Sequence, residues 1–310
     1  TTTASLSSVT TAYERLAYFE LRAQFIHDQV ADVRPTRQDK PGNVVTWTIY
    51  DDLATASAPI NESVDVDAVA LSDTQPSVTL NEYGNATVTT AKVRGTSFLA
   101  VDQDAANVIG YNAGDSLDAV ARDVLVAGTN VRYSGNATAR NTVGPDDTLS
   151  ADNVRRALAD LAGSNAMRWQ DNYYRAIIHP DVSFDLRRET GAAAWRDPHT
   201  YSQPSQIWTG EIGAFEGFSF IESSRARKFE DAGSSTTLTD VYVTLFLARQ
   251  SLAKAYSSLE YKELPSIVLR PPIDKLERFH SIGWKWLGGY GRFREACIRR
   301  VESASSIGAN

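Results

Sequence analysis

From Pro41 to Ala91 the chain contains no lysine and no arginine, yet it carries Asp51, Asp52, Glu62, Asp65, Asp67, Asp73 and Glu82. Within this stretch Val44, Thr46, Thr48 and Tyr50 alternate with Val45, Trp47 and Ile49, the period of a β-strand. A second β segment runs from Ser77 to Thr90, with a turn expected at Glu82-Tyr83-Gly84-Asn85. Leu53 to Thr74, between the two, is rich in Ala, Ser and Asp and promises little structure. The result is a long hairpin of one charge sign that does not sit alone in solvent. It has to lean on another surface.

The rest of the composition is that of an ordinary globular protein. The 310 residues are 42% hydrophobic and 22% charged, enough to bury a sizeable core in one large or two modest domains. The formal net charge is −7, whereas a general nucleic-acid binder is normally basic because phosphate neutralisation supplies most of its affinity. Such a chain can enclose nucleic acid without being built to grip it. The single cysteine, Cys297, excludes an intrachain disulfide and a cysteine-based zinc site, and reads as a small apolar residue in a strand. The apolar run Val241–Ala248 is too short to span a bilayer. The opening Thr1-Thr2-Thr3-Ala4-Ser5-Leu6 lacks the basic start and apolar run of a secretion signal, so assembly in a cytoplasm is expected.

Residues 1–42 read as an extended arm with one helix between Tyr13 and Ile26, closed by Pro35 and Pro41. A long helix is expected over about 102–127. Asp102 or Asp104 can cap it, Ala105, Val108, Ile109, Ala113, Leu117, Val120 and Val124 form its apolar stripe, and Gly128 is its stop. Gly110 and Gly114 inside it imply a close neighbour or a bend. Ser150 caps a second helix, with Leu149 stapling to Val154, Gly163 after the last turn, and Val154, Ala157, Leu158 and Leu161 facing inward. Tyr173–Ile178 reads as a buried strand, and Pro180 starts a helix to about Glu189. Residues 190–240 are loop-rich. A strand at Val241–Leu247 leads into a helix expected from Arg249 to Tyr256, followed by strands at Ile267–Leu269, Phe279–Trp286 and Glu295–Glu302. The class is α+β, without the regular βαβ alternation of a nucleotide fold.

Catalytic signatures are sparse. No phosphate loop is present, Gly288-Gly289-Tyr290-Gly291 lacks dinucleotide spacing, and there is no nucleophile elbow. The one set that invites an enzyme reading is His179-Pro180-Asp181 with Asp197-Pro198-His199, four side chains able to ligate a metal or share a proton in a metal-dependent hydrolase. Against it, they lie on a strand end and a loop, and Pro180 with Asp181 is explained as a helix start whose carboxylate offsets the dipole. No catalytic residue, metal ligand or cofactor is therefore assigned. From Arg249 to Arg300 cations outnumber acids, interleaved with Phe279, Trp284, Trp286, Tyr290 and Phe293. These aromatics could stack on bases, but packing in a core or subunit interface is the favoured expectation.

In this order the parts resemble the Hong Kong 97 fold of tailed-phage major capsid proteins: arm, acidic extended hairpin, long spine helix, loop-rich middle domain, return strands. The wording is similar to the family grouped with the capsid protein of coliphage N-four and common in actinobacterial phages. The segments that carry this are Val64-Asp65-Val66-Asp67-Ala68-Val69-Ala70-Leu71-Ser72-Asp73-Thr74-Gln75, Leu80-Asn81-Glu82-Tyr83-Gly84, Ile177-Ile178-His179-Pro180-Asp181, Trp195-Arg196-Asp197-Pro198-His199, and Gly210-Glu211-Ile212-Gly213 through Phe215-Glu216-Gly217-Phe218. The resemblance implies an N-terminal arm at 1–42, an extended loop at 43–91, a peripheral domain from 92–149 with 274–310, and an axial domain at 150–273. It implies pentamers and hexamers of an icosahedral virion shell, assembled in the bacterial cytoplasm with scaffolding, portal and decoration proteins around double-stranded DNA, with no membrane partner. An encapsulin-type compartment is the alternative within the same fold. Some capsids of this fold are locked by lysine–asparagine isopeptide bonds whose lysine comes from the extended loop. This loop has none, so no such crosslink is expected.

Overall fold

The computed structural model describes residues 25–35, 42–57, 59–60, 62–63, 65–97, 101–189, 211–234, 238–257, 263–270, 274, 276 and 278–307. The helix expected between Tyr13 and Ile26 lies almost wholly outside them, as do Asp197 and His199. In chain order the elements are β1 (Ala31–Pro35), β2 (Val44–Thr46), β3 (Ile49–Tyr50), β4 (Asp73–Thr74), β5 (Ser77–Thr79), β6 (Asn81–Thr90), α1 (Ala91–Thr96), α2 (Val101–Val126), β7 (Val131–Tyr133), α3 (Ala151–Gly163), β8 (Tyr174–Ile178) and α4 (Pro180–Arg188). They continue as β9 (Glu211–Phe215), β10 (Phe218–Glu222), β11 (Lys228–Phe229), β12 (Val241–Leu247), β13 (Leu252–Tyr256), β14 (Ser266–Arg270), β15 (Phe279–Arg292) and β16 (Ile298–Ser303).

The chain divides into two compact units. Of the described residues the smaller holds those in Gly84–Ala113 and Pro265–Lys285, and the larger those in Ala23–Tyr83, Gly114–Leu264 and Trp286–Asn310. In the smaller unit β14 lies antiparallel to the first half of β15, Ile267 opposite Trp284. Asn112 Oδ1 accepts from Trp284 Nε1 at 3.0 Å and from Asn85 Nδ2 at 3.2 Å. A short helix, α1, was not anticipated; Thr90 caps it by accepting from the Val93 amide at 3.3 Å.

The larger unit is organised around a mixed sheet in the order β7-β16-β12-β8-β10-β9, with β11 also paired to β12. Its central strands β8 and β12 are buried at every position, as their unbroken apolar runs require. The aromatic heart is Phe218 against Phe246, ring centroids 4.7 Å apart and 64° inclined, with Phe220 and Tyr174 beside them. Helix α3 adds Val154, Ala157 and Leu161 to this core, with Leu158 half-buried. The expected cap is present: Ser150 Oγ accepts from the Asn153 amide at 3.4 Å. Replacing Ser150 with alanine should lower stability by about 1 kcal/mol, read as a shift in the urea midpoint at unchanged slope.

Several sequence expectations are corrected. The turn at Glu82–Asn85 does not exist, because β6 runs straight through it. Gly84 is there since a β-carbon would lie 2.8 Å from the Trp284 carbonyl oxygen. The helix expected at Arg249–Tyr256 is strand β13. Gln250 turns the chain with a φ of +64°, and β13 is then held between β1, parallel on one side, and β15, antiparallel on the other. Leu, Ala and Lys favour helices, but by less than two strand ladders and burial on both faces contribute. Residues 211–229, expected as loop, form β9, β10 and β11. Cys297 is buried, but it closes a 3₁₀ turn ahead of β16 instead of lying in the strand. The helix α2 matches its expected span, but its buried line is Ile109, Ala113, Leu117, Ala121 and Leu125, while Val108 is exposed. The close-neighbour reading of Gly114 holds, since a methyl there would overlap the ring of Phe25. Among the described residues no helix is long and apolar enough to cross a membrane.

Candidate assembly surfaces

The acidic stretch is a hairpin as expected, built from two short ladders. Val44, Val45 and Thr46 lie opposite Thr79, Val78 and Ser77, and Ile49 and Tyr50 lie opposite Thr74 and Asp73. The last rungs are the Asp51 amide to the Ser72 carbonyl at 3.0 Å and the Ser72 hydroxyl to Asp51 Oδ2 at 3.1 Å. Beyond them no regular structure remains, and every described residue from Tyr50 to Gln75 is exposed. Apolar side chains are among them: Tyr50 is 69% exposed, Ile60 75%, Val69 68% and Leu71 67%. Exposed apolar residues in such a row mark a surface meant to be covered.

The root of the hairpin is firmly seated. Val78 and Leu80 are buried with Ala255 and packed by Val45, Trp47 and Leu287. Trp47 meets Phe293 edge-on at 5.9 Å, and Tyr83 stacks on Trp286 at 6.0 Å. The glycines of Gly288-Gly289-Tyr290-Gly291 make this possible. A β-carbon at Gly289 would fall on the Thr79 carbonyl oxygen and 2.8 Å from Val78 Cγ1, and one at Gly291 would strike Val78 again. The run that lacks dinucleotide spacing is a bare saddle for the hairpin backbone.

A second fixed point holds residues 26–28. Asp118, fully buried on α2, accepts from the backbone amides of Ile26 at 3.0 Å and His27 at 2.8 Å. It also accepts from His27 Nδ1 at 2.9 Å. That imidazole nitrogen therefore carries the proton. Arg225 Nε approaches the same carboxylate at 3.5 Å, and its guanidinium also pairs with Asp115. Burial pushes the Asp118 carboxyl up, but the His27 ring and the amides of His27 and Asp28 together hold it below the usual aspartate range. One residue on, Asp28 takes both a buried lysine, Lys254 at 3.0 Å, and the Tyr290 hydroxyl at 2.6 Å. Burial, then the Asp28 charge, drives the Tyr290 phenol pKa far up, so it stays a donor. None of this network was visible in sequence; the one signal was the lone histidine beside an aspartate at His27-Asp28.

These pairings revise the basic C-terminal surface. Lys254 is taken by Asp28, Arg278 by Asp274, Arg292 by Glu295, Arg299 by Asp160, and Arg300 by the buried Glu302. Trp284, Trp286, Tyr290 and Phe293 are buried, so the packing expectation stands and base stacking by these four does not. Phe279 is 37% exposed.

Of the four residues of the hydrolase reading, His179 and Asp181 lie together, and Asp197 and His199 lie outside the described residues. His179 caps α4, its Nδ1 accepting from the Asp181 amide at 3.2 Å, and Asp181 Oδ2 accepts from the Tyr242 hydroxyl at 3.0 Å. Burial holds His179 below the usual imidazole pKa. Both residues are thus accounted for as a helix start docked on β12. Among the described residues no group of three or more acidic, histidine or cysteine side chains could hold a metal ion.

The model of the family described as phage capsid protein matches residues 2–307. No curated protein sequence matches the chain. Among solved structures the chain is similar to the capsid of Ralstonia phage GP4, with a TM-score of 0.79 at 12% identity over 98% of both chains. The cyanophage Pam1 capsid gives 0.73 at 14% identity over 99% of both. Mycobacterium phage Che8 gives 0.63 at 16% identity over 95% of this chain and 97% of that one. None of these likenesses supports the encapsulin-type or the hydrolase alternative. This chain belongs to the phage capsid protein family: it is a major capsid protein of the Hong Kong 97-like fold, a structural and not an enzymatic protein.

Proposed function

We propose that copies of this chain form the hexamers and pentamers of an icosahedral shell around double-stranded DNA, assembled in the bacterial cytoplasm with scaffolding, portal and decoration proteins. The division of labour proposed is an arm at 1–42, an extended loop at 43–91, a peripheral domain from 92–149 with 274–310, and an axial domain at 150–273. The observation that carries this reading is the hairpin. Its root is locked to the body, while its outer part exposes apolar residues and carries six acidic residues without one compensating cation. Closed symmetry then covers such a surface identically in every subunit. The −7 net charge fits enclosure of DNA without sequence-specific binding.

Electron microscopy of the protein co-expressed with its scaffolding protein tests this. Closed shells of uniform diameter are expected, which dissociate to single subunits on a denaturing gel without a covalent ladder. Dispersed subunits at all concentrations would overturn the reading.

A further inference from the structure

The His179 cap of α4 is built so that one proton breaks it. The imidazole Nδ1 accepts from the Asp181 amide at 3.2 Å, so this nitrogen is bare and the ring is neutral. A proton on Nδ1 would set two donors face to face and put a cation at the positive end of the α4 dipole. The acceptor at hand is Asp181 Oδ2 at 3.3 Å, which already accepts from the Tyr242 hydroxyl at 3.0 Å. Reaching it turns the imidazolium away from the amide and into competition with Tyr242, whose ring lies 5.0 Å from that of His179.

What the first turns of α4 hold is the chain after β16. The Ser305 hydroxyl lies 3.0 Å from the Asp181 carbonyl oxygen and 3.1 Å from Asp185 Oδ2. The Ser306 amide donates to the same Asp185 oxygen at 2.8 Å, and the Ser306 hydroxyl bonds Asp185 Oδ1. Ser305 is fully buried. Its anchors, Asp181 and Asp185, are one helical turn apart, and the first of them carries the capped amide itself. Ala304 is held separately, by the Asp147 carbonyl at 2.9 Å, so the dependence on α4 begins at Ser305.

We propose that His179 is a proton-operated latch: neutral, it fixes the first turn of α4 and through it residues 305–307; protonated, it gives up the cap and lets that segment leave the body of the subunit. Among the described residues, the charged groups facing the ring set the direction. Burial lowers the His179 pKa below its ordinary value, the Asp181 carboxylate on α4 opposes this, Lys228 on β11 reinforces it, and Glu222 on β10 opposes it. Lys228 is itself paired to Asp240 at 3.0 Å and to Glu230 at 3.7 Å, and Glu222 faces Arg187 at 3.7 Å. The Tyr242 phenol on β12, its pKa pushed far up by burial, stays protonated. Because the folded pKa of His179 lies below the unfolded one, the cap's contribution is complete above about pH 6.5. It is lost as pH falls below that value, and the loss is complete once pH passes the lowered folded pKa. Ordinary carboxylates titrate near pH 4, below this window.

Hydrogen exchange of the full chain, corrected for the intrinsic pH dependence of amide exchange, tests the latch. Between about pH 7.5 and 5 the protection of amides 181–186 and of Ser306 should fall about fivefold, the loss of one helix cap, while that of β8 and β12 holds. His179→Asn supplies an oxygen that caps and does not titrate. It should keep the neutral-pH protection and abolish the fall. Should that variant not fold, His179→Asp, which caps and titrates below the window, is expected to do the same. Unchanged protection of the wild type across this range overturns the proposal, as does a rise, in which the imidazolium–Asp181 pair outweighs the lost cap. An equal fall in the Asn or Asp variant also overturns it, since the titrating group would then lie elsewhere. The latch is a property of the single subunit, and its failure would leave the shell-forming reading untouched.

Discussion

Replacing Asp118 with alanine is expected to destabilise the subunit by about 3–5 kcal/mol, because it strands a buried imidazole and two backbone amides at once and leaves the half-buried Arg225 guanidinium to Asp115 alone. Thermal melts of unassembled subunit should show a fall on the order of 10 °C. The protein should also lose the attachment of residues 26–28, read as faster amide exchange there. The same carboxylate gives the wild type an acid limb. Its folded pKa lies below the unfolded value, so its contribution is complete above the ordinary aspartate range, near pH 4, and disappears as pH falls through the lowered value. The alanine variant should therefore lose less stability than the wild type between neutral pH and pH 3. A variant as stable as the wild type would show that residues 26–35 are anchored by β1 and the Asp28–Lys254 pair alone.

Replacing Gly289 with valine should unseat the hairpin. The obstacle is backbone, the Thr79 carbonyl, and backbone within a strand ladder cannot swing aside as a flexible side chain would. Two strands would have to separate, or the burial of Val78, Leu80 and Trp47 would be lost. Losing burial of three large apolar side chains costs several kcal/mol, about 1.5–3 each. Because the sheet of β7 through β16 is built elsewhere, the expected outcome is a folded subunit with a protease-sensitive segment between residues 43 and 83 and no closed shells by electron microscopy. Gly291→Ala, facing only a valine side chain most closely, should do less. Shells of wild-type yield from the valine variant would show that the hairpin root can be held from outside.

How much was legible depended on how local the determining physics was. The cap of α3 at Ser150 and the Pro180 start of α4 were readable because both partners lie within a few residues of each other. The strands β8 and β12 were readable because a central strand buried on both faces has to be apolar throughout. The hairpin was readable from its period and its missing cations. Strand β13 was not, since what makes Leu252–Tyr256 extended is pairing to residues 31–35 and 288–292, far away in the chain. The straight run of β6 through Gly84 failed for the same reason. The glycine marked a close approach by another strand, which in a single sequence looks like a turn.

Function followed the same line. The order of parts was enough to point to a shell subunit, whereas the basic surface read from residues 249–300 was mostly a count of charges without their partners. Which cations remain for a neighbour was decided only when Asp28, Asp160, Asp274, Glu295 and Glu302 had taken theirs. By itself, then, the sequence determined the local elements, the α+β class and a one-signed hairpin that needs a partner, because propensity, capping and periodicity act over a few residues. Tertiary structure alone decided the seat of that hairpin on Gly289, the burial of Asp118 beneath residues 26–28 and which acid each of the paired C-terminal cations meets. Each of these depends on groups brought together across long stretches of chain, as Asp28 and Lys254 are across a separation of 226, and no local pattern encodes which charge meets which.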